Sequence, residues 1–313
     1  MHEAHHCYRL TIVTNKILDV ARWVAIVVVI GFAVRVLTQN WSEFWRTLRG
    51  IPWETSALSM LALVVAMGVS TLGWVVVVDG LGTRLGFLRG ARICLVGQLG
   101  KYVPGSLWAY LLQMELGRKA GLSRARVASG SLIQFCIGLV AALPLALLAA
   151  PNGWVLAALP AVVLLHPKVV NWSAALARKL LRRPPIEVKV SGWAIAKAFA
   201  AAVAAWTMQG VHLWLLAGTN APLLTCIGAM ALAMTSGTFA FLLPSGAGVR
   251  EAVLVAVLSS AGIPAGQALA FALASRVMFT VADLFTALAA AGTSKWAAQS
   301  GREHDGAHLI TSE

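Results

Sequence analysis

Gly97-Gln98-Leu99-Gly100-Lys101-Tyr102-Val103-Pro104-Gly105-Ser106-Leu107-Trp108 interrupts an apolar run with glycines and a proline that a continuous helix has no use for. The pattern is helical on both sides, and residues 91–100 and 106–117 would each rise about 15–18 Å, roughly half the hydrocarbon core of a bilayer. The stretch therefore predicts two half-helices, forming either a broken span or a hairpin that enters and leaves by the same side. Non-helical backbone at that depth survives only when it is buried in protein or lines a wet cavity. The break also sets Lys101 and Tyr102 beside freed amides and the positive end of the second half-helix, which suits an anionic headgroup. A packing kink, with Lys101 reaching the interface along its aliphatic stem, would explain the same letters without a ligand.

Composition sets the class around that stretch. The 313 residues are 59% hydrophobic and 12% charged, with a mean hydropathy of +0.78, too apolar for a soluble core and enough for several spans. The expected fold class is all-α, a polytopic helical membrane protein with about six full spans and two Gly/Pro-broken segments. A net charge of +13 would point to nucleic acid in a soluble protein; here the basic residues sit in short loops between apolar runs, which excludes nucleic acid and fits anionic lipid surfaces. Cys7, Cys94, Cys136 and Cys226 are isolated, mostly inside apolar runs, and suggest neither a disulfide framework nor a metal site. No cofactor is expected.

Residues 1–18 form a basic lead, in which His2-Glu3-Ala4-His5-His6 matches the H-E-x-x-H zinc-protease pattern. That motif needs a buried helix to align both imidazoles, which a chain terminus does not offer. A single transmembrane domain follows over 19–292, in halves of about 19–165 and 191–292 joined by a basic linker at 166–190, and a polar tail closes the chain at 293–313. The first run, Asp19 to Leu37, is too long for a signal-peptide core and has no small-residue cleavage site after it, so it reads as a span. Further spans are expected at Ser56–Val78, Val127–Ala149, Trp154–Leu165, Trp193–Leu216 and Gln267–Ala291. Within the linker, Lys168, Arg178, Lys179, Arg182, Arg183 and Lys189 surround Pro184-Pro185, a pattern shared by interfacial helices and plain solvated connections.

Basic residues orient the chain. If the segment around Pro104 re-enters from the cytoplasm, then the lead, the loops with Arg84–Arg92 and Arg118–Arg126, and the linker all lie inside, while the chargeless turns at Ala150–Gly153 and Asn220–Pro222 lie outside. Only Arg35, Arg46 and Arg49 break the rule; a spanning break with the amino terminus outside would misplace both the lead and the Arg84–Arg92 loop. The expected location is therefore the inner (plasma) membrane with the amino terminus in the cytoplasm. The halves also echo one another: Pro104-Gly105 precedes Ala120-Gly121-Leu122-Ser123, and Pro244-Ser245-Gly246 precedes Ala261-Gly262-Ile263-Pro264, as inverted repeats meeting at the midplane would.

Gly100-Lys101-Tyr102-Val103-Pro104-Gly105-Ser106-Leu107-Trp108, Ala120-Gly121-Leu122-Ser123, Leu243-Pro244-Ser245-Gly246-Ala247-Gly248-Val249-Arg250-Glu251 and Ser275-Arg276 together resemble the flippase-like transmembrane domain of the lysylphosphatidylglycerol synthase family, over nearly the whole chain. The resemblance implies movement of a lipid with a bulky headgroup between leaflets, and stand-alone members of that family are associated with glycolipid, polyprenyl-linked sugar or hopanoid pathways. The 313 residues do not include the soluble aminoacyl-transferase domain of the full-length synthases, so translocation is expected and lipid aminoacylation is not.

Ionisable residues in apolar runs nominate the path. Arg250 and Glu251 follow the second break, while Arg276 and Asp283 lie seven residues apart on one face of the last helix with Thr280 between. Each would cost at least ~2.5–3.5 kcal/mol in lipid, so they face a cavity or one another. The candidate substrate-binding set is Lys101, Tyr102, Pro104, Gly105, Trp108, Gly246, Gly248, Arg250, Glu251, Arg276 and Asp283, with Arg250 and Arg276 on phosphate and Lys101 at the entrance. A structural ion pair such as Arg276 with Glu251 is the plainer alternative. Gln98, Gln134, Gln209 and His212 stand second, as interhelical hydrogen-bonders. A membrane-embedded transferase would need a metal-binding acidic motif, and Asp79, Glu115, Glu251 and Asp283 are scattered; an ion-coupled solute transporter would need a closed central site. A translocator without catalytic residues, partnered by phosphate-bearing membrane lipids, is the expected function.

Overall fold

The structure is a computed structural model that describes residues 41–103, 107–149, 190–218, 221–240 and 243–310, together with isolated positions at 38, 166, 168–169 and 171–172. The described residues are helices and turns without strands. They comprise α1 (Trp41–Gly50), α2 (Trp53–Asp79), α3 (Phe87–Ala91), α4 (Trp108–Lys119), α5 (Arg124–Ala146), α6 (Gly192–Ala217), α7 (Leu223–Phe239), α8 (Val249–Ser260) and α9 (Ala265–Ile310). A π turn at Arg92–Val96 and a 3-10 turn at Leu99–Tyr102 prolong α3, another 3-10 turn at Leu147–Ala149 prolongs α5, and a 3-10 turn at Pro244–Gly246 precedes α8. Among the described residues, four helices are long and apolar enough to cross a membrane: Trp53–Asp79, Arg124–Ala149, Gly192–Ala217 and Ala265–Gly292. The expected spans at 19–37 and 154–165, most of the linker, and the histidine-rich lead lie outside the described residues. Helix α9 runs through the stretch expected as a polar tail.

Local chemistry sets the boundaries. Ser123 and Ser191 accept the third-residue amides of α5 and α6 at 3.2 Å each, satisfying donors that helix starts leave orphaned. At the carboxyl end of α2, the Asp79 carboxylate takes the Leu85 amide at 2.7 Å, and Arg126 donates through Nε and Nη2 to the Val78 carbonyl at 3.0 and 2.8 Å. Arg126, expected as a loop cation, is thus a buried clamp on the α2 terminus. Helix α1 had no counterpart among the expected elements. It gathers Trp41, Phe44 and Trp45 into one aromatic cluster and carries Arg46 and Arg49, the two described residues that break the charge rule, as a helix lying at an interface would.

Helices α2 and α6 run antiparallel, with Ser59 meeting His212, Gly73 meeting Ala198 and Ala201, and Gly80 meeting Val190. This register places Asp79–Gly86, the α4–α5 turn and the start of α6 at one end of the bundle. The α2 start, the α6 end and the α9 start share the other end, where Pro52, Thr55, Ala217 and Gln267 line one cavity of about 410 Å³.

Between α2 and α5 the chain folds into a helical hairpin. Gly97 lies against Gln113, and Gly100 lies against Trp108 and Ala109, so the two arms around Pro104 run back alongside each other. A Cβ on Gly100 would sit 2.6 Å from the Ala109 nitrogen, which is why the sequence needs glycine there. Helices α7 and α8 form a second hairpin, starting from the opposite end, in which Gly246 (φ 63°) presses on the Gly237 backbone. The two hairpin tips, Leu99–Tyr102 and Pro244–Gly246, touch.

The halves repeat in detail. Helices α4 and α8 have 12 residues each and end in the same left-handed glycine cap: Gly121 (φ 83°) with Leu122 N–H donating to Gly117, and Gly262 (φ 92°) with Ile263 N–H donating to Leu258. Trp108 to Val249, Lys119 to Ser260, Gly121 to Gly262 and Arg124 to Ala265 are each steps of 141 residues. Since α2 and its counterpart α6 point in opposite directions, the repeat is inverted within the molecule.

Among the described residues, three apolar clusters hold this arrangement. The largest joins α2, α6, α7, α8 and α9 through Leu63, Leu213, Met230, Leu254 and Phe271. Val77, Ile137 and Ile195 lock α2, α5 and α6, and Trp74, Ile93 and Val127 seat the first hairpin. Outside, α9 presents Val277, Val281, Leu284, Phe285 and Leu288 as an exposed apolar stripe, as a lipid-facing helix does.

Candidate functional site

The hairpin tips are pinned to α9, one through each sign of charge. At the first tip, Lys101 Nζ lies 2.6 Å from Asp283 Oδ2, and the Tyr102 hydroxyl donates to the same oxygen at 2.6 Å. At the second, Arg276 Nη1 donates to Glu251 Oε1 at 2.7 Å, while Glu251 Oε2 accepts the Gly248 amide at 2.6 Å and so caps the start of α8. The side chains of Lys101 and Arg276 keep 26% and 27% of their exposure against 7% for Asp283 and 10% for Glu251. In each pair the cation is therefore the more exposed member and the acid the buried one.

Arg250 differs from both. It is buried, with 4% exposure, and no carboxylate among the described residues lies within ion-pair distance. Its Nη2 donates to Ser275 Oγ at 3.0 Å, its guanidinium carbon stands 4.1 Å from the centre of the Phe279 ring, and its Nε is without a hydrogen-bond partner among the described residues. A ring face offsets part of the cost of burying a cation, yet an unsatisfied guanidinium donor remains expensive. Behind Ser275 sits His212, whose Nε2 is 2.9 Å from Ser275 Oγ and whose Nδ1 is 2.6 Å from Ser59 Oγ. All three are fully buried.

Lys101, Tyr102, Gly246, Gly248, Arg250, Glu251, Arg276 and Asp283 thus come together from the two tips and α9. Trp108 opens α4 with 50% exposure, outside this polar cluster. Pro104 and Gly105 lie outside the described residues. The geometry joins Arg276 to Glu251, the pairing that a structural role requires, and leaves Arg250 as the cation of this cluster without a carboxylate. Of the second-rank polar residues, His212 belongs to the site, whereas Gln134 and Gln209 each keep a buried side-chain oxygen without a partner among the described residues. Ser59, Ser275 and Phe279 complete the cluster. Of these only Ser275, adjacent to Arg276, carried any signal in the sequence; Ser59 is 153 positions from the histidine that it meets.

No curated protein and no solved structure matches the chain. A family model, described as the lysylphosphatidylglycerol synthase TM region, matches residues 22–285, which include both hairpins, all four described spans up to Phe285, and every charged residue of the site. The chain belongs to the lysylphosphatidylglycerol synthase transmembrane-region family and is a multi-pass membrane protein of that lipid-related group.

Proposed function

We propose that the protein moves a phosphate-bearing lipid between the leaflets of the inner membrane, and that the headgroup passes where the two hairpin tips meet. One observation carries this reading: hairpins entering from opposite ends bring their 3-10 tips together beside Arg250, a buried guanidinium without a carboxylate partner among the described residues. Broken helices that meet from opposite sides are how transporters build a polar station at the bilayer midplane without exposing backbone to lipid. A guanidinium remains charged where water is scarce and offers phosphate a planar fork of donors.

In this mechanism Arg250 holds the phosphate, while Lys101–Asp283 and Arg276–Glu251 are the latches of the two tips. A headgroup arriving at Lys101 competes with Asp283 for its ammonium and loosens the first tip; one leaving past Arg276 does the same to the second. Nothing in the scheme makes or breaks a covalent bond in the lipid. The test is leaflet exchange of a labelled phosphodiester lipid in proteoliposomes. Exchange faster than in protein-free vesicles is expected, and equal rates would refute the reading.

A further inference from the structure

Among the described residues Arg250 contacts the Ser275 hydroxyl and the Phe279 ring, and both rest on one residue. His212 Nε2 lies 2.9 Å from Ser275 Oγ, and the His212 ring meets Phe279 edge-on with centroids 5.5 Å apart and planes at 90°. From the other side, His212 Nδ1 lies 2.6 Å from Ser59 Oγ and 3.3 Å from the Ser59 carbonyl oxygen. His212 and Ser275 have 0% exposure, so no bulk water competes for these groups.

Counting protons fixes the directions. A carbonyl oxygen can only accept, so the nitrogen facing the Ser59 carbonyl, Nδ1, carries the hydrogen. The Ser59 hydroxyl donates its one proton to the His212 carbonyl at 3.0 Å, which leaves its oxygen free to accept from Nδ1. Nε2 is then a bare acceptor and takes the Ser275 proton. The Ser275 oxygen is thereby turned, lone pairs outward, to accept from Arg250 Nη2. Every group along Ser59, His212, Ser275 and Arg250 Nη2 is satisfied by this assignment, whereas the other neutral tautomer would set a bare Nδ1 against the Ser59 carbonyl oxygen.

We infer that His212, as its neutral Nδ1–H tautomer, is a positioning residue: through Ser275 and Phe279 it aims the Arg250 fork at the headgroup phosphate, leaving Nε as the donor that the ligand fills. The inference rests on the reading that Arg250 receives phosphate. It adds a role to a histidine one whole helix away from either hairpin tip, on α6, and ties the site to α2 through Ser59.

The test is binding of the short-chain phosphodiester lipid dioctanoylphosphatidylglycerol to the detergent-purified full chain, with thermal melting recorded for every variant. Arg250→Gln should abolish most binding. His212→Leu, which removes both nitrogens, should weaken binding about fivefold, the scale of one aligned hydrogen bond. His212→Gln, whose amide offers one acceptor and one donor, should recover most of that loss. In the double variant Arg250→Gln/His212→Leu, affinity should equal that of Arg250→Gln alone, because His212 acts only through the arginine. Ser275→Ala, which alters packing little, should reproduce the His212→Leu loss and serves if the leucine variant does not fold. Wild-type affinity in both His212→Leu and Ser275→Ala, or an unchanged fivefold loss in the Arg250→Gln background, would overturn the positioning role. Wild-type affinity in Arg250→Gln itself would overturn the phosphate assignment on which it rests.

Discussion

Arg276 and Glu251 show what a half-buried ion pair requires of its partners. The Glu251 carboxylate has 10% exposure and two donors, Arg276 and the Gly248 amide. Removing the guanidinium strands a charge in a dry site, while removing both charges together is nearly neutral. Arg276→Gln should therefore cost about 3 kcal/mol of unfolding free energy, at the low end of the buried-pair range because the arginine side chain keeps 27% of its exposure. The double variant Arg276→Gln/Glu251→Gln should recover most of it, since a glutamine oxygen can still accept the Gly248 amide. Denaturant unfolding in detergent measures both. A double variant as unstable as the single one would mean that these side chains matter through something other than their pairing.

At the scale of elements, two glycines hold the hairpins closed. Alanine at Gly100 would drive its methyl to 2.6 Å from the α4 backbone, and at Gly246 to 2.6 Å from Gly237 on top of a left-handed φ of 63°. Both substitutions should destabilise by about 1–3 kcal/mol, Gly246→Ala more, while Gly68→Ala and Gly138→Ala, with open space around them, should be neutral or gain up to about 1 kcal/mol. Melting temperatures of the four single variants would rank them. These elements were legible because glycine and proline cluster where the chain turns: the expected breaks centre on Pro104-Gly105, which lies outside the described residues, and on Pro244-Ser245-Gly246, and the expected small-residue turns at Gly121 and Gly262 are left-handed helix caps. Helix α1 escaped notice because Glu43, Arg46 and Arg49 interrupt its apolar run, and only its 3.6-residue period reveals the Trp41–Phe44–Trp45 cluster. Arg126 escaped for the converse reason. A loop arginine and a buried helix clamp differ only in what lies 43–48 residues away.

Across the whole molecule, the distribution of basic residues favours one orientation, a choice that the inverted repeat leaves open. Arg84, Arg89, Arg92, Arg118, Lys119, Arg124 and Arg126 gather at the end from which the first hairpin enters, and the amino terminus of α2 lies at the other. In intact cells expressing a variant without its four native cysteines, a membrane-impermeant thiol reagent should label Glu54→Cys and spare Arg84→Cys; the reverse pattern would invert the topology. The residues of the site were visible in the sequence as charges in the wrong solvent, and the Arg276–Glu251 pair was among the arrangements it suggested, but the Lys101–Asp283 pair was not. Lys101 and Asp283 meet across 182 positions, and Arg276 chooses Glu251 because helix register, which no local pattern encodes, brings α8 beside α9. The same register leaves Arg250 without an acid among the described residues, and that difference between two arginines is the centre of the proposed mechanism. The most direct measurement is the rate of leaflet exchange of a labelled phosphodiester lipid in proteoliposomes holding Arg250→Lys or Arg276→Gln/Glu251→Gln, each with wild-type melting behaviour. Arg250→Lys keeps the charge and loses the fork, so its exchange should fall by about tenfold or more, while the double variant, which loses a latch but no phosphate ligand, should fall less. Wild-type exchange by Arg250→Lys, with the loss appearing in the double variant instead, would contradict Arg250 as the phosphate-holding residue.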